Sequence, residues 1–222
     1  MKTRWGATAL AVAGLMFLLY PATRPWHDET TLAGARESMS SNAWVAAHFF
    51  AMLGFIAVPL GLLALHGLVR SRLSLAGLLT AWIGVGLTLP YYGAEDFGLH
   101  AIARSETPDL LTVVDQVRFQ PLAATIFALG LLMLGVGAVL AAVAVWRSGA
   151  LSRAAAVLFA IGFALFFPQF YLPPAGRIAH GVIVAVGCIW LAIALWRTPE
   201  DSAGAPGPQQ THLQGDRESR VM

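Results

Sequence analysis

Tyr91, Tyr92, Glu95, Asp96 and His100 place two phenols, two carboxyls and an imidazole within ten residues of one another. They close an apolar run that begins near Ser74 and contains Pro90 near its end. If the helix continues past Pro90, the spacing of four predicts two neighbouring stripes, Tyr91–Glu95 and Tyr92–Asp96–His100. Ionisable groups at membrane depth are expensive, so they normally face a protein interior or a wet cavity and mark function. The plainer alternative puts Glu95 and Asp96 in water and makes the tyrosines an interfacial belt.

The elements that must position these residues are apolar helices. The chain has 222 residues, 57% hydrophobic and 12% charged, with a mean hydropathy of +0.67. A soluble domain carries about 25% charged residues, so the composition predicts an all-α, polytopic protein of the cell membrane. Six transmembrane helices are expected over approximately 5–22, 43–69, 74–97, 121–146, 152–169 and 177–196. They form one domain over 1–197, and the Pro/Gly/Gln-rich stretch 198–222 is expected to be a disordered tail. Lys2 and Arg4 ahead of an apolar run also resemble a signal peptide, but bulky Tyr20 spoils a small-residue cleavage site and favours an uncleaved first helix. Arg4, Arg70, Arg72, Arg147, Arg153 and Arg197 flank helix ends on one side. By the positive-inside rule that side, with both termini, is cytoplasmic. The net charge of +2 comes without any basic stripe, so nucleic acid is not an expected partner. The single cysteine, Cys188, lies in an apolar run and reads as a small buried hydrophobe.

With that topology the polar residues sort by side. His48, Tyr91, Tyr92, Glu95, Asp96, His100, Arg118, Gln120, Gln169, Tyr171, Arg177 and His180 all fall at the extracytoplasmic end, and Phe167 joins them. The cytoplasmic half holds His66, expected to bond a neighbour or snorkel. A shared polar pocket follows, with three chemistries open to it. A zinc site would use His48, Asp96, His100 and His180. Haem ligation would use His48 with His180 on facing helices. Acid–base chemistry on a lipophilic substrate would use Glu95 and Asp96 as acid and base, with no cofactor. In the last case His48, His100 and His180 would tune or orient the carboxyls, and Arg118 and Arg177 would balance charge. Tyr91, Tyr92, Phe97, Phe166, Phe167, Phe170 and Tyr171 would supply aromatic faces able to stabilise a developing cation.

In helix count and in setting acids beside aromatic walls at a membrane boundary, the chain resembles the small integral-membrane terpene cyclases. The resemblance implies proton-initiated cyclisation of an isoprenoid chain. It is one of layout, without a residue-by-residue motif, so no residue role is carried over from that family. A zinc-dependent membrane hydrolase using the same imidazoles, and a small transporter or non-catalytic membrane subunit, are the rival readings. A transporter would be expected to carry polar residues on towards the midplane.

Overall fold

Six apolar helices packed into a closed ring account for most of the chain in this computed structural model, which describes residues 3–105 and 107–199. They are α1 (Thr3–Thr23), α3 (Asn42–Val69), α4 (Arg72–Gly93), α7 (Pro121–Ser148), α8 (Arg153–Ala164) and α9 (Pro174–Trp196). Three short helices lie between them: α2 (Leu32–Met39), α5 (Leu99–Arg104) and α6 (Leu110–Phe119). No strand occurs among the described residues. Each ring helix packs on two others, in the order α1, α3, α4, α7, α8, α9 and back to α1.

Local chemistry explains where the helices begin and end. Ser41 and Ser152 accept from Trp44 N and Ala155 N at the starts of α3 and α8. Ser71 and Ser74 bond each other's backbone amides in a capping box that opens α4. Arg70, at φ 49°, and Gly149, at φ 66°, sit in the left-handed region that ends α3 and α7. His66 Nδ1 lies 2.8 Å from Ser74 Oγ and ties the α3–α4 turn together. Small residues let the ring close tightly: a Cβ on Gly84 would stand 2.6 Å from the Gly130 carbonyl oxygen. Cys188 is fully buried in the core.

Five helices are long and apolar enough to cross a membrane. The third is longer than 74–97, because the helical run Arg72–Arg104 continues through a π-turn at Ala94–Gly98. The fifth expected span, 152–169, is shorter. Its helix is 12 residues long, about 18 Å at ~1.5 Å per residue against a hydrocarbon core of ~30 Å. Pro168, without an amide hydrogen, starts a 3₁₀ turn (Pro168–Tyr171) in place of further α-helix. The segment between the third and fourth expected spans holds α6. The α2 helix lies between the first two expected spans. Its Ala35 and Met39 bury with Trp44, Leu99, Leu110 and Val114 in a second, small core over one end of the ring. Residues 200–222 of the expected tail lie outside the described residues.

Candidate functional site

The π-turn decides which acid goes where. Its backbone closes from Leu99 N–H to Ala94 O, a five-residue step that inserts one residue into the helical register. The expected stripe Tyr92–Asp96–His100 is thereby broken. Tyr91, Tyr92 and Glu95 face one cavity, while Asp96 does not line it. Asp96 is fully buried, with both carboxyl oxygens unpartnered among the described residues. His100 is half-buried, its Nδ1 2.8 Å from Met39 O, and ties α5 to the end of α2.

Glu95 is held on both oxygens. Arg118 Nε and Nη2 donate to its Oε1 and Oε2 at 2.6 and 2.9 Å, the planar fork that suits a carboxylate. Arg118 Nη1 donates to Glu29 Oε2 at 2.9 Å, and Arg24 Nη2 donates to Glu29 Oε1 at 2.6 Å. Four charges therefore alternate in one chain, Glu95–Arg118–Glu29–Arg24, and link α1, α6 and the π-turn. Burial alone would lower the pKa of Arg118, but the Glu95 and Glu29 carboxylates raise it above the ordinary arginine value. Trp44 anchors the same point from α3, its indole N–H donating to the Glu95 carbonyl at 2.8 Å. Tyr91 donates its hydroxyl to Arg118 O at 3.2 Å.

The cavity beside this chain of charges has a volume of about 800 Å³, within the ~300–1,000 Å³ range of pockets that take small molecules. Its walls come from the C-terminal end of α1, the N-terminal end of α3, the end of α4, the N-terminal end of α7, the segment after α8 and the start of α9. Alternating helix direction thus brings six ends to one face. Tyr91 stacks on Phe127 with centroids 4.0 Å apart, and Phe127 meets Phe170 edge-on at 5.6 Å. His48 lines the cavity between Trp44 and Tyr92, with ring centroids at 4.3 and 6.0 Å. Its Nδ1 lies 2.8 Å from the Trp44 carbonyl, which can only accept, so Nδ1 carries the hydrogen and Nε2 keeps a lone pair.

Eight expected residues come together here: His48, Tyr91, Tyr92, Glu95, Arg118, Phe167, Tyr171 and Arg177. Five do not. Gln120 caps α7 by accepting from Ala123 N. His180 and Gln169 line a separate, much smaller cavity, and His180 Nε2 lies 2.8 Å from Gly162 O on α8. Asp96 and His100 lie outside as described. The expected metal set of His48, Asp96, His100 and His180 is not assembled, and among the described residues no three His, Cys, Asp or Glu side chains form a metal-holding group. His48 and His180 line different cavities, so the haem pair is not assembled either. Of the aromatics, Phe97 is exposed and Phe166 lines the smaller cavity.

The cavity also takes residues that sequence reasoning did not single out: Tyr20, Arg24, Glu29, Phe119 and Phe127. Trp26 and His27 line it too. The available signal was topological, since Arg24 to Glu29 follow α1 directly and so share the end that holds the tyrosines. No protein family, curated protein or solved structure matches the chain.

Proposed function

We propose that the chain is a six-span protein of the cell membrane with both termini cytoplasmic. In this reading it is an enzyme acting by acid–base chemistry on an isoprenoid- or lipid-like substrate held in the cavity. The observation that carries the reading is the cavity itself: aromatic walls, about 800 Å³, with an imidazole and a carboxylate at its polar end. The α8 helix would cross together with the 3₁₀ turn that follows it. The short arginine-flanked turns at 70–72 and 147–153 support the orientation.

The roles of the acids differ from a simple pair. With both oxygens taken by the Arg118 fork, Glu95 rests as a carboxylate; once substrate displaces that fork, Glu95 takes up one proton from water at the cavity mouth, and the acid so formed is the donor. Protonation of an alkene by Glu95 would leave a carbocation facing Tyr91, Tyr92 and Phe127, whose ring faces stabilise positive charge. His48 Nε2 would then remove a proton from the neighbouring carbon, forming the new double bond, and return it to Glu95. The product is an isomer of the substrate. No Asp96 step is included, because Asp96 does not reach the cavity.

Membranes carrying the chain, incubated with geranylgeraniol as probe, test this by mass spectrometry for a product of unchanged mass. His48→Asn and Glu95→Gln should each reduce turnover per folded molecule by about 10²–10⁴-fold. Full turnover in both variants would overturn the assignment. A second reading, a membrane subunit that binds a lipid without converting it, is favoured by the doubly occupied Glu95 carboxylate. It predicts that the probe is recovered bound and unchanged.

A further inference from the structure

The charges at the polar end of the cavity do not cancel. Arg24, Arg118 and Arg177 face only Glu29 and Glu95 there, one guanidinium more than carboxylates. The surplus can be located. Arg118 meets both carboxylates and Arg24 meets Glu29, whereas Arg177 has no carboxylate partner among the described residues. Arg177 instead donates through Nε to Leu172 O at 3.2 Å and through Nη2 to Phe170 O. These two carbonyls fix the plane of its guanidinium and leave Nη1 without a protein partner among the described residues. The guanidinium lies 5.4 Å from the ring centres of both Trp26 and Phe170, and Arg24 lies 4.5 Å from Trp26 on the same site. Trp26 is itself fixed, its indole N–H donating to Pro21 O at 2.9 Å. Arg177 is half-buried at the cavity wall, so an anion that enters can meet its guanidinium directly.

From this we infer that the ligand is an amphiphile with a singly charged carboxylate head, seated on Arg177 with its tail along the Tyr91–Phe127–Phe170 wall. The inference rests on the reading that the cavity holds a lipophilic molecule, and it adds the class of head group. A guanidinium fork recognises carboxylate and phosphate alike. The number of charges separates them: one surplus positive charge matches a carboxylate, whereas a phosphate monoester brings about −1.5 to −2 at neutral pH.

The full chain in zwitterionic phosphatidylcholine nanodiscs can be titrated with geranylgeranoic acid, geranylgeraniol and geranylgeranyl monophosphate, following the change in intrinsic tryptophan fluorescence, to which Trp26 in the cavity wall contributes. The acid should bind about tenfold or more tighter than the alcohol, as a charge-assisted hydrogen bond allows. Arg177→Gln should remove that difference while leaving alcohol binding near its original strength. If loss of the two carbonyl contacts unfolds the 168–172 segment, the salt dependence of binding by the wild type serves instead. Rising ionic strength should weaken the acid but not the alcohol. Equal binding of acid and alcohol by the wild type, or an acid preference that does not fall with salt, overturns the Arg177 assignment. Tighter binding of the monophosphate than of the acid overturns the carboxylate head. Failure of all three probes to bind would instead sink the lipophilic-cavity reading on which the inference rests. Binding with discrimination but without turnover would overturn only the catalytic step.

Discussion

Around Gly84 the backbones of α4 and α7 lie so close that a Cβ would meet the Gly130 carbonyl oxygen at 2.6 Å. Two turns further along, the same helices are separated by the stacked rings of Tyr91 and Phe127. One half of the pair is held by backbone proximity, with Gly77, Ala81 and Gly84 meeting Gly130, Gly137 and Ala141. The other half is held by side chains, and beyond the rings by the Glu95–Arg118 ion pair. Small residues bring helices together through dispersion and leave no room. Large rings and charges keep them apart, and the remaining volume becomes the cavity. The difference teaches that residue size along one helix pair decides where it closes on backbone and where it becomes one wall of the cavity that the other helix ends complete.

The comparison breaks most severely at Arg118. Arg118→Met removes both bonds to Glu95 and one to Glu29, leaving Glu95 buried without a cation. A loss of about 3–5 kcal/mol is expected in unfolding measurements in micelles. Adding Glu95→Gln should recover much of it, whereas a loss below about 1 kcal/mol would mean that aromatic packing holds this end unaided. Gly84→Val attacks the other half. Its new methyl groups enter a space already filled by the α7 backbone, for about 1–3 kcal/mol by the same assay. Probe binding in the cavity should survive in the folded fraction, since the disturbed half is two turns away. If binding fails while folding holds, the two halves are not separable as described. The smallest effect is expected for Trp44→Phe, which keeps the ring packing but leaves the Glu95 carbonyl without its indole donor. About 1 kcal/mol should be lost, with the Glu95–Arg118 fork intact.

Much of this was legible in the residues. Low charge and long apolar runs specified an all-helical chain with membrane-length helices, because lipid-facing surface leaves no alternative composition. Alternating helix direction carried His48, Tyr91, Glu95, Arg118 and Arg177 to one end, so their gathering followed from counting spans. What escaped was register. Glu95 and Asp96 are adjacent, and nothing in their own identities says that a π-turn will aim one at the cavity and bury the other. His180 was misplaced for a related reason. Its depth along α9 was readable, but the side of α9 it occupies is set by contact with Gly162 on α8. The shortness of α8 lay in Pro168, which the expected span 152–169 ran through although it stops a helix of 12 residues.

The closed ring also has an order in time. Because α1 packs between α3 and α9, the ring stays open until the last helix has been synthesised. The charges Arg24, Glu29, Glu95 and Arg118 are all present once the chain reaches α6, so that half can assemble while α7 to α9 are still being made. At ~5–20 residues per second, Arg177 follows Arg118 by roughly 3–12 s. In that interval the residues of the ion pairs are already made and the ring is still open, without the cation proposed to seat the ligand's head. A lipid captured then would be enclosed by α9 rather than having to enter afterwards.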